Sequence, residues 1–539
     1  MQDIGTVIGL LVIVTLISVA AKKIAIPYPT LMVVCGLAIG IVPGLPEIHL
    51  NPDVALLIFL PPLLYSAAWM TSWPDFRANI RPIGMLAIGL VLATTISVAV
   101  VVHTIAPEIP WAVCFVLGAL VSPPDAVAAT AVTKGLSMPR RVVAILEGES
   151  LVNDATGLVA YRIAVTAVVV GSFSLAESVG EFFFVAIGGV LVGLAIGYVM
   201  SRIHRLLDDA TIETAMTLLT PYLAYLPAEA LHVSGVLSTV TAGIFLSRRS
   251  LVLFSSAMRL NANAVWDVLV FLLNGVTFVL IGLQLPTVAK GAFSVNSLSH
   301  FEIAAVTCAV VVIVRLVWVY PAALLPRMFS ARLRARDPMP ALGMLTVIGW
   351  AGMRGVVSLA AALALPLTTA DNQPFPFRDL VILITFCVIL FTLVVQSLTL
   401  PLLIRAMGVS KSDKSTDVEE AEARLEILMA AFDFIDHAAA AGETDVKGLD
   451  HLRAQFERDR LQIQAVLATA RSTLVRRASV CKRLYQGALS AQQHRLRKMW
   501  RHAEYELALL HQLQRDLDLE EARLHLHPDP QSRIMLGGE

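Results

Sequence analysis

Long apolar runs, repeated along the chain, constrain its fold more than any other feature. A helix needs about 20 apolar residues to cross a hydrocarbon core about 30 Å thick. Thirteen such runs lie near residues 4–21, 28–46, 52–68, 80–105, 110–133, 142–170, 180–201, 211–226, 231–247, 263–286, 301–325, 341–366 and 378–407. The sequence therefore predicts an all-α polytopic membrane protein with about 13 transmembrane helices.

The charged residues divide the chain into two domains. Residues 410–539 hold 40 of the 82 charged residues, although they make up only 130 of the 539 positions. We predict a transmembrane domain over 1–409 and a water-exposed tail over 410–539, joined by the polar stretch GVSKSDKST (408–416). Apolar residues at three- and four-residue spacing predict a helical tail from 418 to about 526.

Seven of the twelve histidines lie in this tail: His437, His451, His494, His502, His511, His525 and His527. Because histidine titrates near neutral pH, one hypothesis is that the tail senses pH. Surface histidines on a solvated helical bundle account for the same pattern. Dimer contacts are an equally good role for the tail helices.

Basic residues are distributed asymmetrically among the loops. If Lys22 and Lys23 are cytoplasmic and the runs alternate in direction, the cytoplasmic loops carry sixteen Lys and Arg residues. The external loops then carry only Lys290 and Arg378. This bias predicts an external N-terminus and a cytoplasmic tail. The first run lacks the preceding basic residues of a secretory signal, so the layout is typical of a bacterial inner membrane protein.

Charge and cysteine content exclude other classes of protein. The 41 basic and 41 acidic residues cancel, which argues against a nucleic-acid partner recruited by net charge. The five cysteines are scattered singly, without zinc or disulfide spacing. We expect no bound cofactor.

Two consecutive prolines interrupt the fifth run, at Ser122-Pro123-Pro124-Asp125. They remove two backbone donors and prevent a continuous helix. Irregular backbone at this depth must face protein or a water-filled cavity, and transporters build ion sites from such breaks. Asp125 would then lie at the start of the second half-helix, where the dipole favours a carboxylate. A simple proline kink capped by Asp125 is the alternative.

The sixth run carries a polar stripe. On a helix, Glu147, Ser150 and Asp154 share one face, and Glu149 and Asn153 form the adjacent one. Such hard oxygen ligands suit Na⁺, Li⁺ or protons better than soft metals. Glu147 lies close enough to the cytoplasm to be solvated. Asp154 lies about seven residues deeper, which predicts a functional role.

Other ionisable residues interrupt later runs. Arg354 lies between Gly352 and Gly355 in the twelfth run and stays charged, so it needs an acidic partner or a wet cavity. We predict a structural salt bridge with the surplus carboxylates of the sixth run rather than direct substrate contact. A weaker set is interpreted mainly as interhelical polar pairs: Arg162, Asp267, Asn274 and Arg315.

These residues describe a buried carboxylate that either a proton or a monovalent cation can neutralise. If the site changes sides only when neutralised, coupled cation/proton exchange follows. A passive cation channel is an alternative, although it would need a filter of carbonyls or a ring of acids. An intramembrane enzyme using Asp125 and Asp154 as an acid pair is another. A membrane anchor for a signalling tail does not account for the buried charges.

Four segments resemble the sodium/proton exchanger family of monovalent cation/proton antiporters. They are FLPPLLYSAAW (59–69), SPPDAVA (122–128), LEGESLVND (146–154) and GMRGVVSLA (352–360). The resemblance covers about residues 4–407. It implies a homodimer of inverted repeats, with a dimerisation domain and a core domain that moves as an elevator. It also implies crossed, partly unwound helices at the fifth and twelfth runs.

The resemblance also implies roles for individual residues. Asp154 would be the principal cation- and proton-binding carboxylate. Asn153 beside it, in place of a second acid, is the pattern of electroneutral one-for-one exchangers. The Na⁺ site would be formed by Asp154, Asp125 and the backbone near Pro124. Glu149 and Ser150 would be further Na⁺ ligands or would support the ligands by hydrogen bonds, and Arg354 would be the charge balance.

Two positions depart from the family's pattern. Pro124 stands where the family often has Thr, so a hydroxyl ligand is missing. Ser66 stands where the family often has an acid, which leaves the pairing of Arg354 open. Both departures bear on ion preference more than on activity.

Overall fold

The computed structural model describes residues 2–24, 26–42, 52–133, 138–171, 174–292, 297–331, 337, 339–409 and 413–440, with scattered tail positions from 453 onward. Across these residues the regular structure is helical, and the one β contact is an isolated bridge between Thr368 and Pro374. The prediction of an all-α polytopic membrane protein is confirmed. The chain divides into two compact units, Met1–Ser410 and Lys411–Glu539.

The helices follow the predicted apolar runs. The first nine are α1 (Gln2–Ile24), α2 (Tyr28–Gly40), α3 (Pro52–Met70), α4 (Trp73–Ala78), α5 (Ile80–Gly84), α6 (Val91–Ile105), α7 (Trp111–Val121), α8 (Ala126–Thr133) and α9 (Arg140–Val170). The next nine are α10 (Leu175–His204), α11 (Ala210–Ala230), α12 (Gly235–Leu253), α13 (Ser256–Ala292), α14 (Ser297–Phe329), α15 (Leu342–Trp350), α16 (Val356–Leu363), α17 (Arg378–Phe391) and α18 (Ser397–Ala406). Short π-helical turns at Met85–Leu90 and Thr392–Gln396 make α5–α6 and α17–α18 continuous.

Six of the described segments are long and apolar enough to cross a membrane. They are Ile80–Ile105, Arg140–Val170, Glu177–His204, Ser256–Gln284, His300–Phe329 and Arg378–Ala406. Shorter apolar helices lie at Ile8–Ala21, Tyr28–Gly40, Leu57–Met70 and Trp111–Val121. The number of thirteen crossings, the inverted repeat and the dimerisation domain stay predictions.

The fifth and twelfth runs each fold as two half-helices. The fifth run breaks between α7 and α8 at residues 122–125, because Pro123 and Pro124 cannot donate backbone hydrogen bonds. The twelfth breaks between α15 and α16 at residues 351–355. The two breaks meet, since the backbone N–H of Asp125 donates to the carbonyl oxygen of Met353 at 2.7 Å.

In the tail, the structure describes one long helix, α19 (Asp413–Ala440). His437 lies in its last turn and is exposed. The other six tail histidines, and the tail helices predicted beyond residue 452 apart from scattered positions, lie outside the described residues. The pH-sensing hypothesis therefore stays a prediction.

Glycines allow α2 and α13 to pack with their backbones almost in contact. A Cβ atom at Gly36 would collide with the carbonyl oxygen of Val279, and one at Gly282 with that of Val33. Small residues at such crossings let the backbones of transmembrane helices approach closely, and the resulting van der Waals packing drives their association. This contact holds α13 in place beside the helix breaks.

We expect Gly36→Ala to lower the thermal unfolding midpoint of the purified protein, because the added methyl group must push α2 away from α13. Overpacking of this kind costs about 1–3 kcal/mol. The matched control is Gly9→Ala on α1, where a Cβ would meet nothing within 4 Å. Alanine favours a helix over glycine, so the control should unfold no earlier than wild type. Equal midpoints for the two variants would contradict the close contact.

Candidate functional site

A cavity of about 90 Å³ lies against the crossing of the two breaks. Its wall brings together Asp125 and Pro124 from the first break, Ser150 and Asp154 from α9, and Asn274 from α13. Most of the remaining lining consists of apolar side chains from α3, α13 and α16. The cavity is therefore a mainly apolar chamber that holds two carboxylates.

Asp154 projects from the middle of α9 and is only 7% exposed. Its neighbour Asn153 is fully buried and does not line the cavity. Instead, the Asn153 amide nitrogen donates to the carbonyl oxygen of Pro124 at 2.9 Å, which ties α9 to the break. An ionised aspartate at position 153 could not donate this bond, so a neutral amide suits the position.

Asp125 lies between the ends of two half-helices. It immediately precedes α8, and its carboxylate lies so close to Gly355 that a Cβ atom there would collide with it. Gly355 is the residue that precedes α16. The N-terminal end of a helix carries partial positive charge, so Asp125 lies where two helix N-termini attract a carboxylate.

Glu149 forms a buried ion pair with Arg315 of α14. The two carboxylate oxygens accept hydrogen bonds from the guanidinium at 2.5 and 2.9 Å, and both side chains are 1% exposed. Arg315 also donates to the carbonyl oxygen of Ile348 in α15. The expectation that Glu149 is a Na⁺ ligand is therefore corrected: it lies outside the cavity wall, and Arg315 occupies both of its oxygens.

The hydrogen bonds of the Arg354 side chain go to backbone carbonyl groups rather than to carboxylates. Its guanidinium donates to the carbonyl oxygens of Val121 at 2.8 Å, Ser122 at 3.3 Å and Gly352. The predicted salt bridge with the sixth run is corrected, because Glu149 is paired with Arg315. A broken helix leaves carbonyls without N–H partners, and the five donors of a guanidinium can satisfy several of them.

The weaker sequence candidates separate into two groups. Arg162 pairs with Glu229 at 2.6 Å, as an interhelical contact between α9 and α11. Asn274, only 2% exposed, lines the cavity, whereas Asp267 on the same helix is exposed. An exposed Asp267 does not form a buried polar contact between helices, and Asn274 faces the cavity instead.

Ser66, one of the two departures from the family pattern, does not reach the cavity wall. It is buried and its hydroxyl donates to the carbonyl oxygen of Leu63 at 2.9 Å. Two residues that line the cavity from α13, Thr277 and Gln284, were not predicted from the sequence. Their spacing of three and ten residues from Asn274 on an apolar helix was the available signal.

Outside the cavity, an ion cluster ties the start of α9 to the end of α14. Asp337 accepts two hydrogen bonds from Arg141, at 2.7 and 2.9 Å, and one from Arg327 at 2.6 Å. The hydrogen bonds from Arg141, followed by the charges of both arginines, hold the pKa of Asp337 below its ordinary value. The cluster therefore joins the start of α9 to the end of α14 through Asp337.

A multi-pass helical domain with crossed helix breaks around an acidic cavity has the architecture of a secondary transporter. The model of the family described as "Sodium/hydrogen exchanger, transmembrane" matches residues 8–406. The chain belongs to this family.

Individual relatives agree with the family assignment, and a solved structure has a similar fold. An uncharacterised Na⁺/H⁺ exchanger of Mycobacterium tuberculosis is 33% identical over 96% of this chain and 97% of its own length. A sodium, potassium, lithium and rubidium/H⁺ antiporter of Bacillus pumilus is 34% identical over 74% of this chain and 61% of its own length. The fold is similar to that of the sodium proton antiporter MjNhaP1 of Methanocaldococcus jannaschii, with a TM-score of 0.61 and 21% identity over 76% of this chain and 99% of that one.

We expect Glu149→Gln to destabilise the protein strongly, because it leaves the Arg315 charge buried without a partner. Breaking one side of a buried pair costs about 3–5 kcal/mol. The control is Glu229→Gln in the pair with Arg162, whose side chains are 29% and 45% exposed. Exposed pairs contribute about 0–1 kcal/mol. Thermal unfolding compares the two variants, and the double variant Glu149→Leu/Arg315→Met should recover most of the loss. A larger effect at Glu229 would refute this account.

We expect the stability contributed by Asp337 to be constant between pH 6 and 8 and to disappear in acid. A carboxylate with a lowered native pKa stabilises the fold at pH values above its unfolded pKa of about 3.9. That contribution is lost as the pH falls through the native pKa. Asp337→Asn should thus lower the unfolding midpoint at pH 7, with the gap to wild type closing below about pH 4. Asp371→Asn, at an exposed loop position, is the control. A gap that narrows between pH 8 and 6 would contradict the assignment.

Proposed function

We propose that this protein is a secondary antiporter that exchanges a monovalent cation for H⁺, with Asp154 as the shared binding group. The observation that carries the proposal is the pair of carboxylates, Asp125 and Asp154, in one mainly apolar cavity at the crossing of two broken helices. The relatives, which are named as Na⁺/H⁺ exchangers and alkali cation/H⁺ antiporters, support it.

Competition for Asp154 follows from its surroundings. An ionised carboxylate that is 7% exposed in an apolar wall needs a proton or a cation to neutralise it. The same cavity offers a cation the Asp125 carboxylate, the Ser150 hydroxyl and the carbonyl oxygen of Pro124. Pro124 keeps one lone pair although it accepts the hydrogen bond from Asn153. These oxygens suit Na⁺ as the main substrate, with Li⁺ or K⁺ as alternatives.

The charges around the cavity support a one-for-one stoichiometry. Arg315 neutralises Glu149, and Asn153 carries no charge. Two helix N-termini attract the carboxylate of Asp125, so Asp154 is the single group that alternates between a proton and a cation. Each exchange then moves one charge in each direction, and the net reaction is electroneutral.

Several further properties are proposed on the sequence pattern and the family. The excess of basic residues in alternate loops supports an external N-terminus and a cytoplasmic tail. The bacterial relatives support a location in the bacterial inner membrane. Inverted repeats, a homodimer and an elevator motion of the core domain follow from the family resemblance.

The test is proton movement in proteoliposomes with an imposed pH gradient, after addition of Na⁺, Li⁺, K⁺ or choline. We expect an alkali cation to collapse the gradient in wild type, and Asp154→Asn to abolish this response, because an amide cannot exchange a proton for a cation. Asp267→Asn is the matched control, since Asp267 is exposed and outside the cavity wall.

The same assay distinguishes the alternatives. Clamping the membrane voltage should leave the rate unchanged for an electroneutral antiporter. A passive channel would carry cation current without proton movement. A lack of any cation-dependent proton movement in wild type would refute the proposal, and full activity of Asp154→Asn would refute the role of this residue.

A further inference from the structure

One face of α13 carries three polar side chains that line the cavity. Thr277 and Gln284 follow Asn274 by three and ten residues, which places all three side chains on one side of the helix. The other α13 residues in the wall, Leu280 and Ile281, are apolar. We refer to Asn274, Thr277 and Gln284 as the α13 ladder. The ladder therefore belongs to a helix that is separate from α9 and from the two breaks.

The ladder begins at the level of the two carboxylates and leads away from them. The ring of Phe271, one turn before Asn274, lies 6.2 Å from the ring of Tyr28 at the start of α2, and Tyr28 is within electrostatic reach of Asp125. The helices α2 and α13 run parallel, since Gly36 meets Val279 and Gly40 meets Leu283. With a rise of 1.5 Å per residue, Gln284 lies about 15 Å further along α13 than Asn274.

The ladder presents oxygen atoms that the protein does not fully use. The carbonyl oxygen of the Gln284 side chain is buried without a hydrogen-bond partner among the described residues. The Thr277 hydroxyl donates to the Leu273 carbonyl at 2.6 Å, so the lone pairs of its oxygen remain available. A buried polar atom without a partner is costly, and in a native structure it points to a bound water or ion.

On the basis of the proposed function, we infer that the α13 ladder is the access path of the transported cation and a determinant of its selectivity. Gln284 replaces the first water ligands of the ion, and Thr277 and Asn274 take over before the ion reaches Asp125 and Asp154. Neutral oxygens suit this role, because they attract a cation without holding it as strongly as a carboxylate does. Conduction requires binding that is weak enough for the ion to leave each site.

The α13 ladder should contribute more to the binding of small cations than to the binding of large ones. Li⁺ and Na⁺ hold their water ligands more tightly than K⁺ does, so they depend more on oxygen atoms that replace this water. A proton needs no such ligands, since it can reach Asp154 through water. Loss of a ladder oxygen should therefore change the cation concentration dependence without a matching change in maximal rate.

The test compares Gln284→Leu with a matched control in the proteoliposome assay. The control is Gln396→Leu, because Gln396 is also buried with an unpartnered side-chain oxygen but lies outside the cavity wall. We expect Gln284→Leu to raise the half-maximal concentrations of Na⁺ and Li⁺ about fivefold or more, and that of K⁺ less than twofold. The maximal rate should stay within twofold of wild type, and Gln396→Leu should show no shift in cation preference.

Further measurements distinguish a misfolded variant, a wrong access path and a wrong proposed function. If Gln284→Leu fails to fold or to insert, Gln284→Asn takes its place, because it keeps the amide but withdraws the oxygen by one methylene group; it should raise the half-maximal concentrations of Na⁺ and Li⁺ more than that of K⁺. Unchanged half-maximal concentrations for all three cations in a folded Gln284→Leu variant would overturn the access path while leaving antiport intact. Wild-type protein that moves no protons with any cation would overturn the proposed function itself.

Discussion

The hydrogen bond from the Asp125 backbone to the Met353 carbonyl is the contact on which the rest of the membrane domain depends. Each broken helix has backbone groups that its own turn cannot satisfy, and a hydrocarbon environment offers no water to replace them. The hydrogen bond between the two breaks satisfies one N–H group of the first and one carbonyl group of the second. The join also places Asp125 between two helix starts and leaves room for a cavity beside α9.

The charged residues near the crossing have two different roles, one structural and one chemical. Arg354 satisfies carbonyl groups of both breaks, and Arg315 neutralises Glu149 and reaches the Ile348 carbonyl. Arg354 thus holds backbone at the two breaks, Arg315 holds the last turn of α15, and neither arginine lines the cavity. Asp125 and Asp154 are left as the acids that face it. In the proposed exchange, this separation between structural and chemical charges lets one carboxylate gain and lose a proton while the buried ion pair stays intact.

Local sequence signals predicted the breaks and the acidic helix face well, because paired prolines and intramembrane charges are costly wherever they lack a structural or chemical role. Partners across the bundle were harder to predict. Arg315 and Arg354 are equally plausible partners of Glu149 from spacing alone, and the approach of α14 to α9 decides between them. The same limit applies to Asn274, whose position in the cavity depends on how α13 is rotated by its glycine contacts with α2. Helix rotation is set by long-range packing rather than by local pattern.

Gly355, which precedes α16, limits how this part of the protein can evolve. Asp125 fills the space that a side chain at Gly355 would need. Glycine is the only amino acid without a Cβ atom. Every substitution at position 355 therefore displaces the Asp125 carboxylate. Substitutions can therefore alter the other side chains around the cavity in small steps, whereas position 355 accepts no side chain of intermediate size.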